Sequence, residues 1–169
     1  MDDVRVRLAT AADRPAMERL WLMCCHDMTE FGGQLPEPDG SFQRRTLRTA
    51  FTDPGWFPYL LTLRGRPAGL ALVEFLPGPA THVLNAFFVV RGVRRSGVGL
   101  RAVRQVVAAH PGRWEVAFQD GNPAAGRFWR RAAAEVAGAA GAAWGEERRP
   151  VAGRPEAPLD VCISFDTGT

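Results

Sequence analysis

Phe88-Val89-Val90-Arg91-Gly92-Val93-Arg94-Arg95-Ser96-Gly97-Val98-Gly99 is where the chain changes character. A run of apolar, β-prone residues stops in a turn rich in arginine and glycine. The turn opens into an amphipathic pattern with Leu100, Val103 and Val107 at helical spacing. A strand that empties through glycines onto a helix start is suited to holding phosphate. The unpaired N–H groups of the first helical turn point outward, and the helix dipole favours an anion there. Glycines at 97 and 99 let the backbone approach a ligand without a Cβ in the way. The alternative is a plain strand-to-helix turn carrying solvated arginines.

Three phosphate-binding patterns can be weighed against this segment. A P-loop needs a lysine after its glycines, and all 21 Lys and Arg positions of the chain are arginine. A dinucleotide fingerprint needs a third glycine and a place in the first strand–helix unit. Here Ala102 stands where that glycine belongs, and the segment lies past mid-chain. The pattern Arg/Gln-x-x-Gly-x-Gly/Ala is met at every position by Arg94-Arg95-Ser96-Gly97-Val98-Gly99. This segment resembles the acetyl-coenzyme A pyrophosphate loop of the GNAT superfamily of N-acetyltransferases.

Composition bounds the alternatives. With 169 residues and 46% hydrophobic side chains, one domain spanning 1–169 with a sizeable core is expected. The net charge of +3 is small, and no clustered basic-aromatic face accompanies it, which argues against nucleic acid as a partner. No apolar run approaches the roughly 18 residues of a membrane span, so no membrane partner is expected. Cys24, Cys25 and Cys162 lack metal-ligand spacing, and no secretory core follows Met1; a reducing cytoplasm is the expected setting. His26, His82 and His110 are too scattered to suggest a metal.

The order of elements follows from periodicity. Val4–Leu8 alternates like a half-buried strand, and Asp13 with Pro15 can open a helix whose buried stripe is Met17, Leu20, Trp21, Cys24 and Met28. A loop is expected from Phe31 to Gly40 and a short helix over Phe42–Phe51. Phe57–Leu63 and Ala68–Leu76 form a hairpin around Arg64-Gly65-Arg66-Pro67. His82–Val90 is the strand that feeds the glycine loop. Beyond the Pro111-Gly112 break come a strand Trp114–Gln119 and a helix from Asn122-Pro123 to about Ala134. Residues 137–158 are expected to hold one short strand and a loop, and Leu159–Phe165 is the closing strand. Early hairpins and late strand–helix units imply an α/β fold with a mixed sheet and helices on both faces.

That order is similar to the GNAT acyltransferase fold over roughly residues 4–134 and the last strand. The resemblance implies a central, mostly antiparallel sheet flanked by helices and splayed between its fourth and fifth strands. A second motif of that superfamily, Asn-x-x-Ala-x-x-x-Tyr, is met by Asn122 and Ala125, with Trp129 in place of the tyrosine. The tyrosine is thought to protonate the departing thiolate. An indole N–H cannot, although a thiol of pKa about 8.5 already leaves tolerably. Phe87-Phe88-Val89, residues 111–116, Phe128-Trp129-Arg130 and His26–Phe31 resemble a subgroup known as predicted acetyltransferases. An acidic residue often precedes Phe-Phe-Val in that subgroup; here it is Ala86.

The resemblance implies acetyl-CoA as the cofactor, held by Phe88, Val89, Val90, Arg94, Arg95, Ser96, Gly97, Val98, Gly99, Asn122, Ala125 and Trp129. The implied reaction is direct acetyl transfer, in a ternary complex, to a primary amine of a small molecule or protein, by a monomer or homodimer. Glu74, His82 and Asn85 are the candidates for base or water-orienting group, each with a surface or core-edge role as its alternative. His26, Asp27, Glu30 and Phe31 are candidates for the acceptor pocket, the alternative being that the acids solvate a helix end. Trp129 and Ala86 keep a second function in play, a non-catalytic acyl-CoA-binding or regulatory module.

Overall fold

The strand that leads into the glycine turn is the fourth of seven among the described residues. The structure, a computed structural model, describes residues 3–168. The elements are β1 (Val4–Leu8), α1 (Arg14–Gly32), α2 (Arg45–Thr52), β2 (Trp56–Leu63), β3 (Arg66–Pro77), β4 (Ala80–Val89), α3 (Val98–Ala108), β5 (Arg113–Gln119), α4 (Pro123–Ala139), β6 (Trp144–Arg149) and β7 (Asp160–Asp166). The strands join in the order β1-β2-β3-β4-β5-β7-β6. Antiparallel ladders link β1 to β2, β2 to β3, β5 to β7 and β6 to β7. β4 and β5 are parallel, paired over His82–Leu84 and Trp114–Val116, and β4 runs on to Val89.

Two compact bodies make up the chain. The first takes the residues up to Glu74 together with Asn85–Val106. Its core forms where α1 and α2 lay apolar stripes on the sheet: Met17, Leu20, Trp21 and Cys24 with Leu47 and Ala50, against Leu60, Leu70, Leu72 and Phe88. Met28, expected on the same stripe, is half-buried. The indole N–H of Trp21 donates to the Gln43 carbonyl at 2.8 Å, satisfying its one polar atom. Gln105 of α3 exchanges hydrogen bonds with the backbone of Val4 and Val6, which occupies the free edge of β1.

Between Leu61 and Thr62 the β2–β3 register slips, so that Ala68 is an extra residue on β3. The Ala68 carbonyl accepts from the Val90 N–H at 2.9 Å. A bulge of this kind re-aims the strand next to it, here the end of β4 that delivers the loop.

The second body takes Phe75–Leu84 together with the residues from Val107 on. Trp114, 1% exposed, stacks on Phe165 with centroids 6.2 Å apart, and Val116, Phe118, Val161 and Ile163 complete the apolar interior. α4 buries Trp129, Ala132, Ala133, Val136 and Ala137.

Several boundaries differ from the sequence expectation for physical reasons. α1 runs to Gly32, past the expected loop start at Phe31, and Gly33 ends it in the left-handed conformation with its N–H bonded to the Thr29 carbonyl. Asp13 sits at the N-cap without capping; its carboxylate binds Arg7 and the Thr10 N–H instead. α2 starts at Arg45, and the β2–β3 turn takes Arg64-Gly65 alone, leaving Arg66 and Pro67 in β3. α4 extends to Ala139 because its alanines favour helix. None of the helices among the described residues is long and apolar enough to cross a membrane.

Candidate functional site

β4 ends at Val89, and the chain turns once through residues 91–93 before α3 begins at Val98. Between them Arg95 takes φ 65° and Gly97 φ 81°. Left-handed backbone is costly for arginine and free for glycine. Two such residues in three turn the chain sharply onto the helix start. The loop is stiffened from within, since the Val93 N–H bonds the Val90 carbonyl, the Arg94 N–H that of Arg91, and the Ser96 hydroxyl donates to the Val93 carbonyl at 2.7 Å. The first N–H groups of α3 have no intrahelical acceptor and face an anion-favouring dipole.

The arginines of the loop have separate duties. Arg94 donates from Nε to the Val89 carbonyl at 2.7 Å and from Nη2 to Asp27 Oδ2, and its guanidinium lies 5.5 Å from the Phe88 ring centroid. Arg91 Nε donates to Asp27 Oδ1 at 3.0 Å. Burial pushes the Asp27 pKa up, but the hydrogen bonds from Arg94 and Arg91 outweigh it and hold the carboxyl below its ordinary range. Arg101, in the first turn of α3, folds back on the loop. Its Nη1 lies 3.0 Å from where a Cβ on Gly97 would stand, and its buried Nε has no hydrogen-bond partner. A buried donor without a partner is expensive, so Arg101 carries unspent hydrogen-bonding capacity beside the loop.

In the same body Glu74 near the end of β3 accepts from Asn85 Nδ2 on β4 at 2.8 Å. The two sequence candidates are thus one hydrogen-bonded pair, with Glu74 half-buried. His26 and Glu30 are exposed and Phe31 half-buried on the last turns of α1, and the Thr29 hydroxyl bonds the His26 carbonyl.

His82 belongs to the second body. Its ring lies 5.0 Å from Phe75, 4.9 Å from His110 and 5.1 Å from Trp114, with Nδ1 buried and unpaired. Burial lowers its pKa, partly offset by a hydrogen bond with the Arg113 backbone; burial and the neighbouring His82 lower that of His110. Both rings favour the neutral form in the fold, so their contribution is complete above the unfolded-state pKa of about 6.5 and is lost as pH falls below it. Melting temperature is expected to drop between pH 7.5 and 5, and His82→Phe to flatten that slope. An unchanged slope in the variant would remove His82 from the account.

Also in the second body, Asn122 caps α4: its Oδ1 accepts from the Ala125 N–H at 3.0 Å, with Pro123 opening the helix. Trp129 is 7% exposed and meets Phe128 edge-on. Two residues that shape the site are not singled out by the sequence expectation. Arg91 is one arginine among many, and Gly69 is a lone glycine inside a strand pattern, which is itself a signal of close backbone approach.

No family model and no curated protein matches the chain. Solved structures do. An acetyltransferase from Thermus thermophilus is 20% identical, with 96% of each chain covered and a TM-score of 0.64. A GNAT-family acetyltransferase from Staphylococcus aureus is 12% identical over 98% of this chain and 99% of its own, with a TM-score of 0.67. The fold is that of the GNAT acetyltransferases. An aminoglycoside acetyltransferase holding paromomycin and acetyl-CoA shares it at 20% identity, with 98% and 94% covered and a TM-score of 0.64.

Proposed function

We propose that the chain is an acetyl-CoA-dependent N-acetyltransferase acting on a primary amine of a small molecule or protein. The observation that carries this is the β4–α3 loop, in which positive φ at Arg95 and Gly97 turns the chain onto a helix start beside the buried, unpaired Nε of Arg101. That is a fit for a doubly charged pyrophosphate. The aminoglycoside acetyltransferase of the same fold, bound to acetyl-CoA and an amine-bearing substrate, supports the same assignment.

Backbone N–H groups of residues 96–99 would hold the pyrophosphate, with Arg95 and Arg101 adding charge. The pantetheine arm would lie along the end of β4 from Phe88 to Val90. There the Val90 N–H is held by the Ala68 carbonyl and the Val89 carbonyl by Arg94, so the Val89 N–H is the backbone group that would turn to the arm. Asn122, Ala125 and Trp129 are assigned to the cofactor by the motif. When bound, acetyl-CoA supplies the acetyl group as a thioester.

The chain must then take a proton from an ammonium acceptor. Glu74 is the group best fitted to do so: Asn85 fixes its carboxylate, it is half-buried, and strand alternation with Leu70 and Leu72 assigns it to the face on which α1 and α2 pack. Trp129 supplies no proton to the leaving thiolate, so water does. Trp129 and Ala86 favour a second reading, an acyl-CoA-binding module without turnover.

Thermal shift combined with thiol release separates the two. Acetyl-CoA at a hundred times its dissociation constant should add about 2.7 kcal/mol, a rise of roughly 5–10 °C in Tm for a chain of this size. Free thiol should appear with at least one member of a panel of amines. Stabilisation without thiol release on any amine would favour the binding module. No stabilisation would remove the cofactor assignment.

A further inference from the structure

We propose that Asp27 is a positioning residue for the cofactor loop, a strut between the last turns of α1 and the β4–α3 turn, and not a receptor for the acceptor amine. The inference rests on the loop being the coenzyme A site. Both carboxylate oxygens of Asp27 are taken, Oδ1 by Arg91 Nε at 3.0 Å and Oδ2 by Arg94 Nη2. The side chain is 16% exposed. One carboxylate between two guanidinium groups leaves the cluster with a net charge of +1, which repels an ammonium group.

Arg94 is equally committed. Its Nε holds the Val89 carbonyl at the last residue of β4, and its plane lies near Phe88. The guanidinium therefore joins three elements: the helix end through Asp27, the strand end through Val89, and its own loop. Arg94 and Asp27 are 67 positions apart in sequence, so the tie closes a long segment and fixes the direction in which the loop leaves the sheet. The loop is then held in its binding geometry before the ligand arrives, which lowers the ordering cost of binding. The phosphate charge falls to the loop amides, Arg95 and Arg101, because Arg94 is already bonded on two sides.

Coenzyme A is the probe, titrated calorimetrically well below the melting transition in about 0.3 M salt, where a Debye length near 6 Å damps the long-range pull of the freed arginines. Asp27→Asn is expected to raise its dissociation constant about tenfold, the equivalent of one lost charge-assisted hydrogen bond. Asp27→Glu should recover most of that affinity. Asp27→Asn combined with Arg94→Gln should lose clearly less than the sum of the two single losses, since the Asp27–Arg94 tie is counted in both.

An unchanged dissociation constant in Asp27→Asn, or losses in the double variant that simply add, would overturn the proposal. So would an Asp27→Asn protein that binds coenzyme A normally but shows a raised KM for an amine, which would give Asp27 to the acceptor. If Asp27→Asn does not fold, Asp27→Glu and Arg94→Gln carry the same comparison. Failure of the unsubstituted protein to bind coenzyme A would instead sink the functional assignment, and is told apart by that fact.

Discussion

Gly69→Ala is expected to lower the melting temperature by about 6–20 °C, from a loss of roughly 3–5 kcal/mol at about 2–4 °C per kcal/mol for a chain of this size. A Cβ built on Gly69 would lie 2.1 Å from the Phe88 carbonyl oxygen, 3.1 Å from its carbon and 3.2 Å from the Leu61 Cδ2. The obstruction is backbone, so no rotamer change relieves it. β3 and β4 must move apart, and overpacking of that kind exceeds the usual cost of about 1–3 kcal/mol for an added methylene. The strain falls where the Ala68 carbonyl holds the Val90 N–H, one residue before the loop begins. Coenzyme A affinity is therefore expected to fall together with stability. Gly92→Ala is the matched control, with open space around the added methyl and an ordinary φ, and should change Tm by no more than about a degree or two. A Gly69→Ala protein that melts like the unsubstituted one would mean that the strands do not approach as described.

The turn at Gly97 is legible in the sequence, whereas a lone glycine in a strand at 69 signals a close approach without saying to what, and the contrast shows what a single sequence can express. The segment around Gly97 changes period, from a run of β-prone residues to helical spacing, and concentrates glycine at the change. Local pattern alone locates the turn. Gly69 matters because of Phe88, a residue far along the chain on another strand, and nothing near Gly69 names that partner. The Asp27–Arg94 tie is hidden in the same way. Its members are ordinary charged residues, and pairing over such a separation is a property of the fold. In a chain whose basic side chains are all arginine, composition cannot single out Arg91, Arg94 or Arg101 from the others.

The end of the chain is hard to read for a different reason. β6 runs Trp-Gly-Glu-Glu-Arg-Arg, with no apolar alternation, because it is an edge strand exposed along nearly its whole length. Its side chains are matched by charge: Glu146 to Arg130, Arg148 to Asp120, and Arg149 to Glu115. The first two pairs are exposed and contribute little stability each, while Glu115 is more sheltered; charge along an edge also discourages pairing with other chains. Asn122 illustrates a third case. Asn-Pro at a helix start and the superfamily motif predict the same residue for different reasons, and its side chain does cap α4.

Replacing Gly97 by valine is expected to remove coenzyme A binding while leaving a folded protein. At φ 81° a β-branched residue is strongly disfavoured, and the strain of about 1–3 kcal/mol is best relieved by turning the loop into another conformation. The loop is exposed, so relief need not disturb the core, and Tm should drop by only a few degrees. The consequences for an anion are larger. Once the loop turns, the N–H groups at the start of α3 no longer converge, and the new side chain displaces the Arg101 guanidinium, whose Nη1 lies 3.0 Å from the Cβ position. Losing two charge-assisted hydrogen bonds at about 1.5–3 kcal/mol each corresponds to a hundredfold or greater rise in dissociation constant. Calorimetric titration of the variant with acetyl-CoA measures this directly, and circular dichroism confirms the fold. Binding within about threefold of the unsubstituted protein would place the pyrophosphate elsewhere, and the loop at 94–99 would revert to a strand-to-helix turn that happens to be rich in arginine.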